Sequence, residues 1–191
     1  MVKTEHLELR AVSMADLPAL YAINSDPETW RHDPSGRHTT ADRTRVWIER
    51  AAARWRTDGL SYWSVRSHGG QAAIGVGGVQ RHATGAWNLY YRFAPEAWGH
   101  GYATEMSRAA VDAGSRIDPE APVLAWISAP NRPSRRVAER LGFRNYGEHV
   151  DASDGQPRLV YANRFPYRHV APSVVPDGEA QCVGEPGGQL K

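Results

Sequence analysis

Residues 91–104 read Tyr-Arg-Phe-Ala-Pro-Glu-Ala-Trp-Gly-His-Gly-Tyr-Ala-Thr. They carry the end of an alternating run, a short link, and two glycines one residue apart that open a helical pattern. Glycines ahead of a helix leave the first-turn amides free to converge on one point, and the helix dipole adds partial positive charge there. Such a turn holds a phosphate without any cation. It is equally a plain glycine start to a helix, and the segment alone does not separate the two. A dinucleotide fingerprint fits poorly, because Gly99-x-Gly101-x-x-Thr104 lacks the third glycine and Gly75-x-Gly77 has Gln80 in that place.

Upstream, Trp87–Phe93 alternates apolar and polar residues as a half-buried strand does. Two further runs precede it, Tyr62–Arg66 and Ala73–Gln80, with a His68-Gly69-Gly70 turn between them and another near Thr84-Gly85. Short links predict an antiparallel meander. Gly75, Gly77 and Gly78 in the middle run predict a bulge or a close backbone approach. Before the meander, Thr40–Asp58 shows a helical stripe of Trp47, Ile48, Ala51, Ala52 and Trp55, stopped by Gly59. Leu7–Val12 reads as a strand, Asp16–Asn24 as a helix, and Trp30–Thr40 as a polar loop. Trp47, Trp55, Trp63 and Trp87 fall on core stripes and are expected to pack.

Downstream, the helix opened by Gly101 runs to about Arg116, with Ala103, Met106, Ala109, Ala110, Ala113 and Ile117 as its expected inner face. Val123–Ile127 is a short apolar run, a buried strand. Asn131-Arg132-Pro133 starts another helix, lined by Val137, Ala138 and Leu141 and closed by Gly142. Arg144–Val150 and Leu159–Arg164 complete the strands. The fold class expected is α/β: one domain over residues 1–168, with a mixed sheet of about seven strands flanked by helices. Residues 169–191, with three prolines and no periodicity, are expected to be a disordered tail.

Composition narrows the function. The chain has 191 residues, a formal net charge of +2 and one cysteine, Cys182. That rules out a disulfide framework and a multi-cysteine metal site. Only Lys3 and Lys191 are lysines, so no P-loop is possible. So small a net charge argues against nucleic acid. The eight histidines show no ligand spacing, and no metal is expected. No stretch approaches 18 consecutive apolar residues, and Met1–Arg10 has charges but no apolar signal core. A cytoplasmic protein without a membrane partner is expected.

The runs PEAWGHGYATEM (95–106) and NRPSRRVAERLGF (131–143) together are more specific than either alone. They resemble the GNAT superfamily of N-acetyltransferases, with its Q/R-x-x-G-x-G/A loop and its later N-x-x-S/A…G-F helix. The closest likeness is to the branch that acetylates ribosomal-protein N-termini and to its small-molecule relatives. It spans about residues 4–167.

The resemblance implies acetyl-CoA as co-substrate. The turn from Trp98 through Gly99, His100, Gly101, Tyr102 and Ala103 to Thr104 is then expected to hold its pyrophosphate. Tyr91, Arg92 and Phe93 are expected to meet the pantetheine arm along the strand. Asn131 matches the asparagine that bonds the arm from the other side. Arg136 either meets CoA phosphates or is a solvated helix arginine.

Two positions depart from the family pattern. Trp98 stands where glutamine or arginine is usual, and Ala138 stands where some relatives place a tyrosine acid. Ser134 is the matched hydroxyl and the candidate proton donor, or else a helix-capping serine. The reaction implied is direct attack of a primary amine on the thioester, the amine belonging to a protein N-terminus or a small molecule. A non-catalytic acyl-CoA sensor is the alternative. Glu105, His32, Asp33 and His38 are weak candidates for a base, each with a plain structural reading beside it. A monomer and a homodimer both fit.

Overall fold

The computed structural model describes residues 1–151 and 154–164. The expected domain end at 168 and the tail lie outside the described residues.

Eight strands form one sheet in the order β1-β2-β3-β4-β5-β6-β8-β7. They are β1 (Val2–Lys3), β2 (Leu7–Ala11), β3 (Tyr62–Ser67), β4 (Gly75–Arg81), β5 (Trp87–Phe93), β6 (Val123–Ile127), β7 (Arg144–Val150) and β8 (Pro157–Ala162). The helices are α1 (Leu17–Ser25), α2 (Ala41–Thr57), α3 (Tyr102–Ile117) and α4 (Arg132–Arg140). β3, β4 and β5 form the expected meander. The extra strand is β1, two residues paired to Leu9 and Glu8 and too short to show a period. The expected polar loop, Trp30–Thr40, contains a short 3-10 turn at Pro34–Gly36, and another, Pro27–Trp30, leads into it.

Each face of the sheet carries a core. Leu7, Leu9, Trp63, Val65, Val79, Trp87 and Leu89 pack with Met106 and Ala110 of α3 and Ala138 of α4. On the other face Tyr62 and Val76 pack with Leu20 and Ile23 of α1 and Ile48 and Ala51 of α2. Fully burying one such aliphatic side chain is worth about 1.5–3 kcal/mol, so these two layers dominate the stability.

The expected inner face of α3 packs on the first of these cores at Ala103, Met106, Ala109, Ala110 and Ala113, but not at Ile117. Thr104, Met106, Ser107, Ala110 and Gly114 are buried, and Ile117 is 47% exposed. Small residues at 107, 110 and 114 let the helix sit close against the strands. A Cβ on Gly114 would lie 3.2 Å from the Trp87 ring, and one on Gly77 only 2.4 Å from Met106 Cε. The β4 glycines therefore serve close approach, as expected: a Cβ on Gly75 would meet the Phe93 ring at 2.4 Å.

Candidate active site

Among the described residues β5 and β6 are the one parallel pair in the sheet, and they are registered only at Trp87↔Val123 and Asn88↔Leu124. Antiparallel strands turn alternate residues' peptide groups to opposite neighbours. The Ala94 amide bonds Ile74 O at 3.0 Å, and the Trp87 amide bonds Pro122 O at 2.9 Å. Even-numbered residues of β5 therefore pair with β4, and odd-numbered ones face β6. Beyond Leu89 the two strands part, which leaves the peptide groups of Tyr91 and Phe93 facing a gap. Arg92 differs from its neighbours: it stands opposite Val76 in the β4 ladder, so its backbone is not available to a ligand in the gap.

The glycine turn lies at the end of β5. Gly99 and Gly101 have φ of +82° and +81°, left-handed values that glycine adopts without strain. The Trp98 amide is used by Pro95 O and the Thr104 amide by Gly101 O. Among the described residues the amides of Gly99, His100, Gly101, Tyr102 and Ala103 donate to no protein acceptor. A Cβ on Gly99 or Gly101 would meet nothing within 4 Å. The Trp98 indole donates to Phe93 O at 2.9 Å, which ties the turn to β5 and leaves the Phe93 N–H as that residue's group in the gap. His100 stacks on Tyr102 beside the turn, with centroids 5.3 Å apart.

α4 faces the gap from the far side. Asn131 caps it, its side-chain oxygen accepting from the Ser134 amide at 3.2 Å, so its side-chain NH2 points no proton at the helix. Tyr91 packs toward this side, with its phenol pushed up to about 12 by burial and drawn partly back by the Ser134 side chain. Ala138 is buried beneath. Arg135 reaches the Tyr161 hydroxyl at 3.2 Å, whereas Arg136 is exposed.

Across the sheet the side chains of Tyr90 and Arg92 join an aromatic group from β3, α2 and the 27–40 segment. Trp47 stacks on Tyr62 at 5.5 Å, Tyr62 meets Tyr90 at 5.1 Å, and Trp30 meets His38 at 6.0 Å. The Arg92 guanidinium lies 3.3 Å from the Trp30 ring centroid. A cavity of about 500 Å³ opens beside Trp47, lined by His38, Asp42, Arg43, Val46, Trp47 and Arg50.

Residues 6–144 match the family model described as Acetyltransferase (GNAT) domain. The chain belongs to the GNAT acetyltransferase family. The uncharacterized protein YkkB of Bacillus subtilis is 27% identical over 144 residues, covering 73% of this chain and 83% of that one. The crystal structure of an acetyltransferase from Agrobacterium tumefaciens superposes with a TM-score of 0.73 at 25% identity, over 86% of this chain and 94% of that one. The RimL ribosomal L7/L12 alpha-N-protein acetyltransferase, solved in complex with coenzyme A, shares the fold with a TM-score of 0.68 at 19% identity, over 83% and 94% of the two chains. GNAT enzymes transfer an acetyl group from acetyl-CoA, so this chain is an N-acetyltransferase with that co-substrate. No described helix is long and apolar enough to cross a membrane.

The GNAT frame makes the four candidate bases readable. Glu105 turns toward the N-terminal segment: Thr4 Oγ1 and the His6 amide donate to Oε1, and His6 Nδ1 lies 2.9 Å from Oε2. Burial raises its carboxyl, but those hydrogen bonds outweigh it and hold it below the usual value. Asp33 is paired with Arg158 at 3.3 Å, which pins the 27–40 segment to β8. His32 Nε2 accepts from Arg31 Nε at 3.2 Å. His38 is buried against Thr44 Oγ1, its imidazole pushed down to about 4 by burial and then by Arg43 and Arg92. None of the four is a free, basic group aimed at the gap.

The sequence reading did not find the aromatic group around Arg92, nor the hydroxyl of Tyr91. Trp30, Tyr62 and Tyr90 come from three separate elements, so no spacing in the chain joins them. The sequence resemblance points to Tyr91 through its backbone alone. Its hydroxyl was legible in principle, since the same alternation puts it on the α4 side.

Proposed function

We propose that this GNAT enzyme acetylates a primary amine by direct attack in a ternary complex formed at the β5–β6 gap. One observation carries this reading. The gap, faced by the Tyr91 peptide groups and the Phe93 N–H, ends at the turn where five consecutive amides lack a protein acceptor. An amide-bearing arm fits the first, as a strand would, and a pyrophosphate fits the second. Gly99, His100, Gly101, Tyr102 and Ala103 would hold the phosphates, with Trp98 and Thr104 shaping the turn. Asn131 would bond the arm from α4, and Arg136 stands exposed for an outer phosphate. The bound thioester supplies an activated acetyl group.

The chain's residues then act on protons. As the amine nitrogen bonds the carbonyl carbon and the carbon–sulfur bond breaks, Ser134 donates its proton to the departing sulfur. The Tyr91 phenol, protonated throughout the neutral range, restores a proton to Ser134 and regains one from the water that takes the amine's proton. The amine loses its proton to water. Arg92 and Arg43, on the acceptor side, favour that loss, because nearby cations lower the pKa of an amine.

Release of free thiol from acetyl-CoA tests the proposal. A panel of peptides and small primary amines should give release that depends on the amine. Tight acetyl-CoA binding with no release from any amine would overturn it in favour of a sensor.

A further inference from the structure

Arg92 differs from two other guanidinium groups this fold encloses, those of Arg66 and Arg158. Arg66, on β3, meets Asp16 at 2.5 Å. Arg158, on β8, meets Asp33, Asp151 and Asp154. Arg92 is half-buried, yet among the described residues no carboxylate lies within ion-pair distance of it. Neutral groups hold it instead: it donates from Nε to Tyr90 Oη at 3.0 Å and from its terminal nitrogen to Thr29 O. Trp30 covers one face. Removing a cation from water costs free energy that neutral dipoles and a ring face only partly return. The fold therefore maintains an uncancelled positive charge on the acceptor side of β5, between the two residues whose peptide groups face the gap.

The surroundings reinforce that charge. Arg43 and Arg50 line the cavity beside Trp47, which Arg92 itself does not line, and make no ion pair among the described residues. Its one carboxylate, Asp42, is bound to Arg45 at 3.2 Å. The imidazole of His38 stays uncharged at neutral pH, pushed down to about 4 by burial and then by Arg43 and Arg92. A cavity of about 500 Å³ matches a small molecule.

We infer that Arg92 is the anion receptor of the acceptor site, and that the acceptor is a small primary amine carrying a carboxylate or a phosphate. With Nε and one terminal nitrogen donating to Tyr90 Oη and Thr29 O, the remaining terminal N–H groups are the donors left for either anion. This inference rests on the acetyl-transfer reading above and narrows its substrate.

Matched pairs of amines test it: β-alanine against β-alaninamide, and O-phosphoethanolamine against ethanolamine. The wild-type enzyme should show kcat/KM at least about tenfold higher for the anionic member of one or both pairs, and which pair does so identifies carboxylate or phosphate. Arg92→Gln should bring that ratio near one, while Arg92→Lys, which keeps a cation without the guanidinium, should retain part of it. Binding of N-acetyl-β-alanine against its amide, and of N-acetyl-phosphoethanolamine against N-acetylethanolamine, repeats the comparison without turnover. If every amine is silent but the anionic product still binds more tightly, the acetyl-transfer reading fails and the anion receptor stands. Transfer or binding with no anionic preference, or a preference that survives Arg92→Gln, overturns the inference.

Discussion

The Glu105 carboxylate accepts from both the backbone amide of His6, at 2.8 Å, and its imidazole Nδ1, at 2.9 Å. The clasp joins the segment before β2 to the first turn of α3, the turn that follows Gly101. It sets a pH dependence. Hydrogen bonding to Glu105 raises the His6 pKa above its usual 6.5. A raised pKa contributes stability that is complete below 6.5 and lost as pH rises through the folded value. For Glu105 the lowered pKa contributes stability above 4.5, lost as pH falls through its folded value. Thermal unfolding from pH 5 to 9 should show His6→Ala and the wild type converging at the alkaline end and diverging near pH 5–6. Parallel curves across the range would show that the ring carries none of the clasp.

Tyr91 and Ser134 give a kinetic prediction. Ser134→Ala should lower kcat by roughly 10²-fold with little change in acetyl-CoA affinity, the scale of losing a positioned acid. Tyr91→Phe should lower kcat by a smaller factor, and the double variant should be no worse than Ser134→Ala alone, because the two act in series. Since burial holds the Tyr91 phenol at about 12, the wild-type rate should show no loss from its ionisation up to pH 10. Additive losses in the double variant would place Tyr91 outside this relay.

Gly77 gives a prediction about packing. An added Cβ meets Met106 Cε at 2.4 Å and the Tyr90 carbonyl oxygen at 2.8 Å, and the backbone cannot yield as the methionine can. Gly77→Ala should destabilise by about 1–3 kcal/mol. Each ~1 kcal/mol lowers Tm by roughly 2–4 °C in a chain of this size. An unchanged Tm would mean that α3 and β5 shift apart freely.

Much of the fold was legible because its signals are local. The period of 2 in Trp87–Phe93 and the glycine pair before Tyr102 fix strand, turn and helix within a few residues of one another. The apolar face of α3 is legible at Ala103 to Ala113, and apolarity and burial part company only at its margins: Ser107 and Gly114 are buried because they are small, and Ile117 is exposed near the helix end. At the site, backbone features could be read from Gly99 and Gly101. The surroundings of Arg92 could not, since Trp30, Tyr62 and Tyr90 meet only after the chain has folded. Glu105 shows the same limit, because its position in the first turn of α3 says nothing of Thr4 and His6, about a hundred residues away.

Acetyl-CoA affinity at Gly101 tests the central claim most directly. The φ of +81° makes valine or alanine a poor probe, because strain at a left-handed position adds a folding cost to any binding effect. Asparagine tolerates that conformation better, and its Cβ meets no protein atom within 4 Å. Gly142, with φ of +78° and equally open space beyond α4, is the matched control. Calorimetric titration of acetyl-CoA should give a Kd raised about tenfold or more in Gly101→Asn, near-wild-type affinity in Gly142→Asn, and similar small Tm losses in both. Wild-type affinity in folded Gly101→Asn protein would contradict the account, since the turn would then start α3 without holding the pyrophosphate.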